Sequence, residues 1–279
     1  MPEGHTLHRL ATDLHARFAD RLVRVGSPQG RFADAAALLD GTRVVGAESW
    51  GKHLFVGFEH DRVVHVHLGL YGTFDLHDGE APPPVGQVRL RIVSDQPRPS
   101  YGDLRGATAC DLLTPDQRDA VVARLGPDPL RADADPVLAW QRVSRSRAPL
   151  GGLLMDQTVL AGVGNVYRAE VLFRHRLHPL RPGTSLRRGR FDALWEDLVL
   201  LMREGVRTGR IDTVHTEHTP EAMGRPPRVD DHGGEVYVYR RTGQPCLICG
   251  STVRTDVLQG RNVFWCPRCQ PVFRSRARE

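Results

Sequence analysis

Lysine is almost missing from this chain of 279 residues. Lysine and arginine together number 38, and Lys52 is the single lysine among them. Lysine ends in an amine that can lose its proton when buried and then attack a carbonyl carbon, which a guanidinium cannot do. Any imine chemistry is therefore confined to two candidates, Lys52 and the α-amine at the start of the chain. The plain alternative is that Lys52 survives by chance on a solvated surface.

Long apolar runs are also missing. No stretch approaches the roughly 20 continuous apolar residues of a membrane-spanning helix. The opening MPEGHTLHRL lacks the basic-then-apolar order of a secretory signal. A hydrophobic content of 40% is enough for ordinary cores. We therefore expect a soluble, cytoplasmic protein with no membrane partner.

Acidic residues are scarce near the C-terminus. Residues 240–279 contain eight arginines against Asp256 and Glu279, an excess of six, whereas the whole chain has a net charge of +5. The rest of the chain is thus close to neutral. A basic C-terminal module is typical of a nucleic-acid-binding surface. A solvated tail is the alternative, and it fits RSRARE better than it fits the arginines between cysteines.

Cysteine is rare, but four of the five cysteines form a pattern. Cys246 and Cys249, and Cys266 and Cys269, make two CxxC pairs separated by 16 residues. This spacing is typical of a zinc ribbon, in which a hairpin brings two thiolate pairs around one tetrahedral ion. The alternatives are disulfides, which do not fit a chain without a secretion signal, and a redox pair. We predict one structural Zn²⁺, with Cys110 left over as a core residue.

The order of patterns along the chain predicts an α+β protein of several domains. Residues 3–18 have a helical apolar face, and short alternating or β-branched runs follow up to about residue 112. Helical periods dominate afterwards, and residues 213–236 are polar and rich in Gly, Pro and His. We predict an N-terminal β-sandwich with a leading helix, a C-terminal helical domain and a β-hairpin zinc finger. The predicted ranges are 1–125, a linker at 126–136, 137–240 and 241–275.

The segment LAGVGNVYRAEVL places two glycines between apolar helical runs. Such a turn exposes backbone amides, and the helix that follows presents its positive N-terminus, which together favour a phosphate. Asn165, at the start of that helix, could donate its side-chain amide to the same anion. A tight helix–helix turn that simply requires glycine explains the pattern equally well.

The N-terminus offers a second reactive amine. Methionine is usually removed before proline, which would leave Pro2 as a secondary amine with a reference pKa of about 7.7–8.0. The positive end of the first helix disfavours the ammonium form, and an unprotonated amine can attack a sugar C1′. Glu3 lies next to it as an acid or base. The alternative is that Pro and Glu merely make a good helix start.

Several blocks of this sequence resemble one family. The blocks MPEGHTLHRL, WGKHLF, HLGLYG, LLMDQTVLAGVGNVYRAEVLFRHRLHP and GRNVFWCPRCQ are similar to those of the Fpg/Nei DNA glycosylases, in family order and over nearly the whole chain. The PEG start resembles the endonuclease VIII (Nei) branch, and PEGHTLHRLA is most similar to its second actinobacterial type. The resemblance implies a helix–two-turn–helix motif within residues 137–240.

The resemblance also implies residue roles. Pro2 would be the nucleophile at C1′ of the damaged nucleoside, and Glu3 would handle protons. Lys52 would be the family's strand lysine, which contacts the phosphate beside the lesion. Asn165 would grip backbone phosphate, and Arg261 would be the zinc-hairpin arginine that reaches the lesion phosphates.

The block HLGLYG supplies the predicted wedge. When a base rotates out of the duplex, an apolar or aromatic side chain must fill the gap. Leu70 and Tyr71 match the Nei wedge positions, whereas Gly69 stands where Nei often has glutamine. Arg105, in GDLRG, is a further candidate for DNA binding, with a plain surface arginine as the alternative.

The N-terminal block departs from the family pattern. His5 and Thr6 follow PEG where the family usually has proline and glutamate. The chain therefore lacks a second carboxylate at this site, and Glu3 is expected to carry out the acid–base catalysis. His5 either assists it or is exposed at the surface. Retention of Met1 would block the proline nitrogen.

The resemblance therefore implies a bifunctional DNA glycosylase and abasic-site lyase of bacterial base excision repair. It would remove oxidised pyrimidines through a Schiff base at the N-terminal proline and cut the strand by β,δ-elimination. It would act as a monomer on damaged DNA, in the cytoplasm and associated with the nucleoid. An Fpg-type enzyme for oxidised purines is one alternative. The others are a non-catalytic binder of abasic or branched DNA and a zinc-ribbon RNA-binding protein.

Overall fold

The computed structural model describes residues 2–95, 97–229 and 234–274. The chain divides into two compact units, Met1–Arg124 and Leu125–Glu279. Every helix within the described ranges is too short or too polar to span a bilayer.

The first unit consists of a leading helix, eight strands and two further helices. In chain order its elements are α1 (Gly4–Phe18), β1 (Leu22–Gly26), α2 (Ala33–Leu39), β2 (Thr42–Trp50), β3 (His53–Phe58), β4 (Arg62–His67), β5 (Thr73–Asp78), β6 (Val88–Ser94), β7 (Ser100–Arg105), β8 (Ala109–Leu113) and α3 (Pro115–Val122). The strands pair antiparallel in the order β5-β7-β6-β1-β2-β3-β4-β8. Strands β1 and β2 share just two residue pairs, so the sheet has two four-stranded halves with a short junction.

Both halves contribute to one core, together with α1. Leu14 of α1, Leu54 of β3 and Leu90 of β6 belong to this core and are at most 1% exposed. The apolar face predicted for the first helix is confirmed, because its leucines and Phe18 are buried. Cys110 is buried in the same core, as predicted.

The second unit is helical and ends in a hairpin. Its elements are α4 (Pro136–Arg145), α5 (Leu150–Leu153), α6 (Asn165–Arg174), α7 (Arg188–Thr208), α8 (Pro220–Met223), β9 (Arg254–Leu258) and β10 (Arg261–Trp265). Two single 3-10 turns occur at Gly183–Ser185 and Thr216–His218. Helix α7 is followed by Gly209, whose φ of +74° is the left-handed conformation that glycine adopts without strain.

One core serves the whole second unit. It includes Tyr167 of α6, Leu194 of α7, Phe264 of β10 and the buried Cys246. The hairpin is therefore packed on the helices. The predicted fold class is confirmed, whereas the predicted boundaries of the four segments stay predictions. Residues 230–233 and 275, which fall within predicted segments, lie outside the described residues.

Candidate active site and nucleic-acid interface

The N-terminus of α1 carries a buried carboxylate. Glu3 is wholly buried, with 0% exposure, and it is the N-cap residue of α1, but its side chain does not cap the helix amides. Its backbone carbonyl accepts a hydrogen bond from Thr6 N at 2.9 Å. Pro2 precedes it in a non-helical conformation and is half-buried. The carboxylate of Glu3 is thus held at the positive end of a helix dipole, beside the predicted nucleophile. Met1 lies outside the described residues.

His5 is buried, and the expectation of an exposed histidine is wrong. It is 5% exposed. The first turn of α1 is buried beyond the apolar face of the helix, since Gly4 and His5 are buried as well. Its Nε2 lies 3.3 Å from Thr6 Oγ1. Burial lowers the pKa of His5 to about 4, so the ring is neutral at pH 7.

Lys52 lies in a hairpin turn, not in a strand as the resemblance implied. Strands β2 and β3 pair up to Trp50 and His53, and Gly51 and Lys52 form the two-residue turn between them. Gly51 has a φ of +60°, which a two-residue hairpin turn demands at its first central position. Lys52 is half-buried. Burial, and then the charge of Lys52, lower the pKa of His67, so the ammonium lies near that ring.

Three histidines form a cluster that was not predicted from the sequence. His53 Nδ1 and His65 Nε2 lie 2.8 Å apart, and the His53 ring centroid is 5.0 Å from that of His67. His67 Nδ1 lies 2.9 Å from Thr108 Oγ1. Burial lowers the pKa of His53 to about 3 and also lowers those of His65 and His67. The signal was present: alternate histidines in HVH and the histidine after Lys52 share one sheet face once the strands pair.

The loop after β4 presents the predicted wedge residues to solvent. Leu70 is 52% exposed and Tyr71 is 88% exposed. Gly69 has a φ of +70°, and a Cβ added there would lie 2.4 Å from Thr108 Cγ2. A glutamine therefore does not fit at this position with the present loop. The departure from the Nei pattern follows from the local backbone and from Thr108.

Arg105 belongs to an acidic network within the first unit. Its guanidinium pairs with Asp103 at 2.9 Å and with Asp75 at 3.2 Å. Asp103 is 3% exposed and also accepts two hydrogen bonds from Arg91, at 2.6 and 2.7 Å. Burial alone would raise the pKa of Asp103, but the two arginines bring it below its usual value. The structure gives Arg105 a structural partner, and its contact with DNA stays a prediction.

In the second unit, the GVGN turn leads directly into α6. Gly162 has a φ of +88°, and Gly164 is the N-cap residue of α6. The expectation that this turn leaves its amides open is wrong for Gly162, because Gly162 N donates to Gln157 Oε1 at 2.9 Å. Gln157 Nε2 in turn donates to Val163 O at 3.0 Å. The Gln157 side chain therefore occupies one backbone amide, that of Gly162, which had been predicted to bind a phosphate.

Arg168, which was not predicted from the sequence as a site residue, links Asn165 to the hairpin. Asn165 is 7% exposed and accepts a short hydrogen bond from Arg168 Nη2. The same nitrogen donates to the carbonyl of Asn262 at 2.7 Å, next to Arg261. The i,i+3 spacing in NVYR was the available signal, since it places both side chains on one face of the helix.

Arg261 begins β10 and is exposed. The turn before it, Gln259–Gly260, has φ values of +50° and +72°, the pattern of a type I′ hairpin turn. A cavity of about 460 Å³ lies beside this turn, lined by Gly152, Asp156, Arg168, Gln259 and Arg261, among others. The structure therefore places Arg168 and Arg261 in one cavity, with Asn165 hydrogen-bonded to Arg168.

The four cysteines fit one metal ion. Their sulfur atoms all lie within 4.8 Å of one another. Tetrahedral zinc with Zn–S bonds of about 2.3 Å requires S···S distances of about 3.8 Å. Cys246 and Cys269 are 3.9 Å apart, and Cys249 and Cys266 are 3.4 Å apart. Gln270 Oε1 accepts from Cys266 N at 3.0 Å, which supports the second knuckle. No other such group of ligands occurs in the described ranges.

Comparison with known families matches three parts of the chain. Residues 1–110 match the family described as the formamidopyrimidine-DNA glycosylase N-terminal domain, and residues 125–217 match its H2TH domain. Residues 243–272 match the zinc finger found in FPG and IleRS. The predicted single structural Zn²⁺ is thereby confirmed, with the four cysteines as its ligands.

Individual relatives cover nearly the whole chain. Endonuclease 8 1 of Mycobacterium tuberculosis is 55% identical over 275 residues, 97% of this chain and 100% of the relative. The crystal structure of the MutM (Fpg) protein of Thermus thermophilus has a TM-score of 0.72 at 30% identity, covering 96% of this chain and 98% of that one. A Lactococcus lactis Fpg complex with THF-DNA and an inhibitor has a TM-score of 0.77 at 24% identity, with coverage of 97% and 100%. The assignment to the second actinobacterial type stays a prediction.

Proposed function

The chain belongs to the Fpg/Nei family of DNA glycosylases, and on that premise we propose that it is a bifunctional DNA glycosylase and abasic-site lyase that removes oxidised pyrimidines. The observation that carries this proposal is the buried Glu3 carboxylate beside Pro2 at the start of α1. It would act as a monomer on damaged DNA in base excision repair. The cytoplasm, in association with the nucleoid, is its proposed location.

The reaction begins at the nitrogen of Pro2. With Met1 removed, this secondary amine attacks C1′, the glycosidic bond breaks, and the base leaves with the bonding electron pair and a proton. The ring oxygen then takes a proton as the sugar opens, which gives an iminium ion at C1′. Glu3, next to Pro2 in the chain, is the carboxyl group that we assign to these proton transfers.

Strand cleavage follows from the iminium. Loss of a proton from C2′ expels the 3′ phosphate, and a second elimination expels the 5′ phosphate, which leaves a gap of one nucleotide. Lys52, in the turn before β3, is a compact cation suited to a phosphate beside the lesion. Asn165 and Arg261 are the proposed phosphate contacts of the second unit, and Zn²⁺ holds the hairpin that carries Arg261.

The exposed loop supplies the wedge. We assign Leu70 and Tyr71 to the space that the rotated nucleotide leaves in the duplex. Their exposure supports this role, since a monomeric protein gains no stability by presenting two large apolar side chains to water. Gly69 offers no side chain to read the opposite base, so opposite-base discrimination from this position should be weak.

Borohydride trapping on an abasic-site duplex tests the proposal. Protein with a verified N-terminal proline should give a covalent adduct at Pro2, found by mass spectrometry. The matched control carries extra residues before Pro2, which turn its nitrogen into an amide and leave every side chain unchanged; it should not be trapped. An adduct at Lys52 would show that the nucleophile is misassigned.

Two further outcomes separate the alternatives. Tight binding of the abasic duplex without any adduct from the processed protein would favour a non-catalytic DNA-binding protein. Faster release of 8-oxoguanine than of 5-hydroxyuracil from matched duplexes would favour the Fpg-type activity on purines.

A further inference from the structure

Arg168 is a buried arginine at the centre of the second unit. It lies in α6, one turn after Asn165, and is 2% exposed. Its Nη1 donates to Gly151 O at 3.3 Å, and its Nη2 donates to Asn262 O at 2.7 Å and to Asn165 Oδ1. One guanidinium therefore touches α5, the start of α6 and strand β10.

The contact with Asn165 fixes which way its amide points. Arginine can only donate hydrogen bonds, so the Asn165 atom that faces Arg168 must be the carbonyl oxygen. The amide NH₂ then points away from the guanidinium. That end is a donor, the group that a phosphate oxygen accepts from. Without Arg168, this contact would no longer hold the carbonyl oxygen inward, and the flipped amide would turn that oxygen toward the phosphate.

The contact with Asn262 affects Arg261, the second residue to which a phosphate contact is assigned. Asn262 follows Arg261 in β10, and its carbonyl is held at 2.7 Å. Arg168 and Arg261 also line the same cavity. Holding this carbonyl fixes the backbone from which the exposed Arg261 side chain extends.

We propose that Arg168 is a positioning residue for DNA binding: it orients the amide of Asn165 and holds the hairpin strand of Arg261, so that both groups are set before DNA arrives. The proposal rests on the proposed function, which assigns phosphate contacts to Asn165 and Arg261. A fixed geometry lowers the conformational cost of binding. Lysine cannot replace the guanidinium of Arg168, because a single ammonium does not reproduce the planar arrangement of N–H groups that donates to three carbonyl oxygens.

A double-mutant cycle on a duplex with a tetrahydrofuran abasic analogue tests the proposal. In the parent protein, Asn165→Ala should weaken binding about tenfold, the effect of one hydrogen bond to a charged partner. In an Arg168→Met background the same substitution should cost less than about twofold, because the amide is no longer held in its donating orientation. Fluorescence anisotropy gives the dissociation constants, and zinc content and the melting temperature report folding.

Arg174→Met is the matched control. Arg174 lies in the same helix and pairs with Asp197 at 2.7 Å and with Thr213 O at 2.6 Å, so its loss disturbs comparable bonds. The full cost of Asn165→Ala should persist in that background. Where Arg168→Met does not fold, Arg168→Lys keeps the charge and carries the same cycle.

Salt dependence gives a second readout. Loss of one contact between an arginine and a phosphate of duplex DNA reduces the slope of log K against log salt by about 0.9. Arg168→Met and Arg261→Ala should each reduce the slope by this amount, and the double variant should reduce it no further. Equal costs of Asn165→Ala in both backgrounds, or additive slopes, would overturn the positioning role. Failure of the parent protein to bind the duplex would instead refute the proposed function.

Discussion

Glu170→Gln is a small chemical change that should loosen the segment leading into the zinc hairpin. Glu170, on α6, is wholly buried, and both of its carboxylate oxygens act as acceptors. Oε2 accepts from Tyr237 N at 2.6 Å and from Thr213 Oγ1 at 2.7 Å. Oε1 accepts from Tyr239 N at 2.8 Å and from Val238 N at 2.9 Å. Three consecutive backbone amides thus depend on one side chain.

The loss of stability caused by Glu170→Gln depends on which carboxylate oxygen the amide NH₂ replaces. An NH₂ at the Oε1 position would oppose two backbone amides. At the Oε2 position it would oppose just Tyr237 N, because the hydroxyl of Thr213 can rotate and accept. The second orientation is therefore favoured. It leaves one buried amide unsatisfied and replaces charge-assisted bonds by neutral ones, a cost of about 2–5 kcal/mol in all.

Hydrogen exchange at residues 237–239 measures this directly in the full-length protein. Protection of these amides should fall by a factor of about 30 or more, at ~1.4 kcal/mol per tenfold change. Glu196→Gln is the control, because Glu196 lies exposed on α7 and the same chemical change there should stay within about 0.5 kcal/mol. A Glu170→Gln protein with parent-like exchange at 237–239 would refute the reasoning.

Three more predictions concern the zinc site, the buried histidines of the first unit and the exposed Tyr71. Chelation of zinc should open the hairpin, and anisotropy should then show weaker DNA binding that added Zn²⁺ restores. His5 and His53 have pKa values of about 4 and about 3 in the folded state, so the unfolded chain takes up protons first as the pH falls below about 6.5. Each should cost about 2 kcal/mol of stability between pH 7.5 and pH 5, and in urea unfolding the His53→Phe protein should lose about 2 kcal/mol less over this range than the parent does. Tyr71→Ala should leave the free energy of unfolding in urea within about 0.5 kcal/mol of the parent value, because the side chain is 88% exposed, while single-turnover base release slows; a parent-like rate would exclude Tyr71 as a wedge.

The features that could be predicted from the sequence depend on short-range spacing. The apolar face of α1 follows from its 3.6-residue period, and the zinc site follows from two CxxC pairs, each of which is local. The start of α3 is also local, because Thr114 and Gln117, three residues apart, form a capping box. The turn position of Lys52 could have been read from the glycine before it, since a positive φ is typical of two-residue hairpins.

The missed features depend on pairing between distant segments. His53 and His67 are directly opposite each other only because β3 and β4 pair in this register, and a shift by one residue would separate them onto two faces. The carbonyl of Asn262 that Arg168 holds is 94 residues away along the chain. The buried first turn of α1, which encloses His5, likewise depends on tertiary packing. No periodicity within one segment encodes such contacts.

Helix α6 shows why these long-range contacts are polar. Residues 165–173 of this helix are all buried, and a helix buried on every side is expected to be apolar. Arg168 and Glu170 break that rule within one turn, and each holds backbone groups of segments that apolar packing would leave in several similar arrangements. Buried polar groups with satisfied partners favour one arrangement over its neighbours, because any other leaves a buried donor or acceptor unpaired. The apolar core thus stabilises the second unit, while these two side chains determine where the hairpin and its preceding segment lie on the helix.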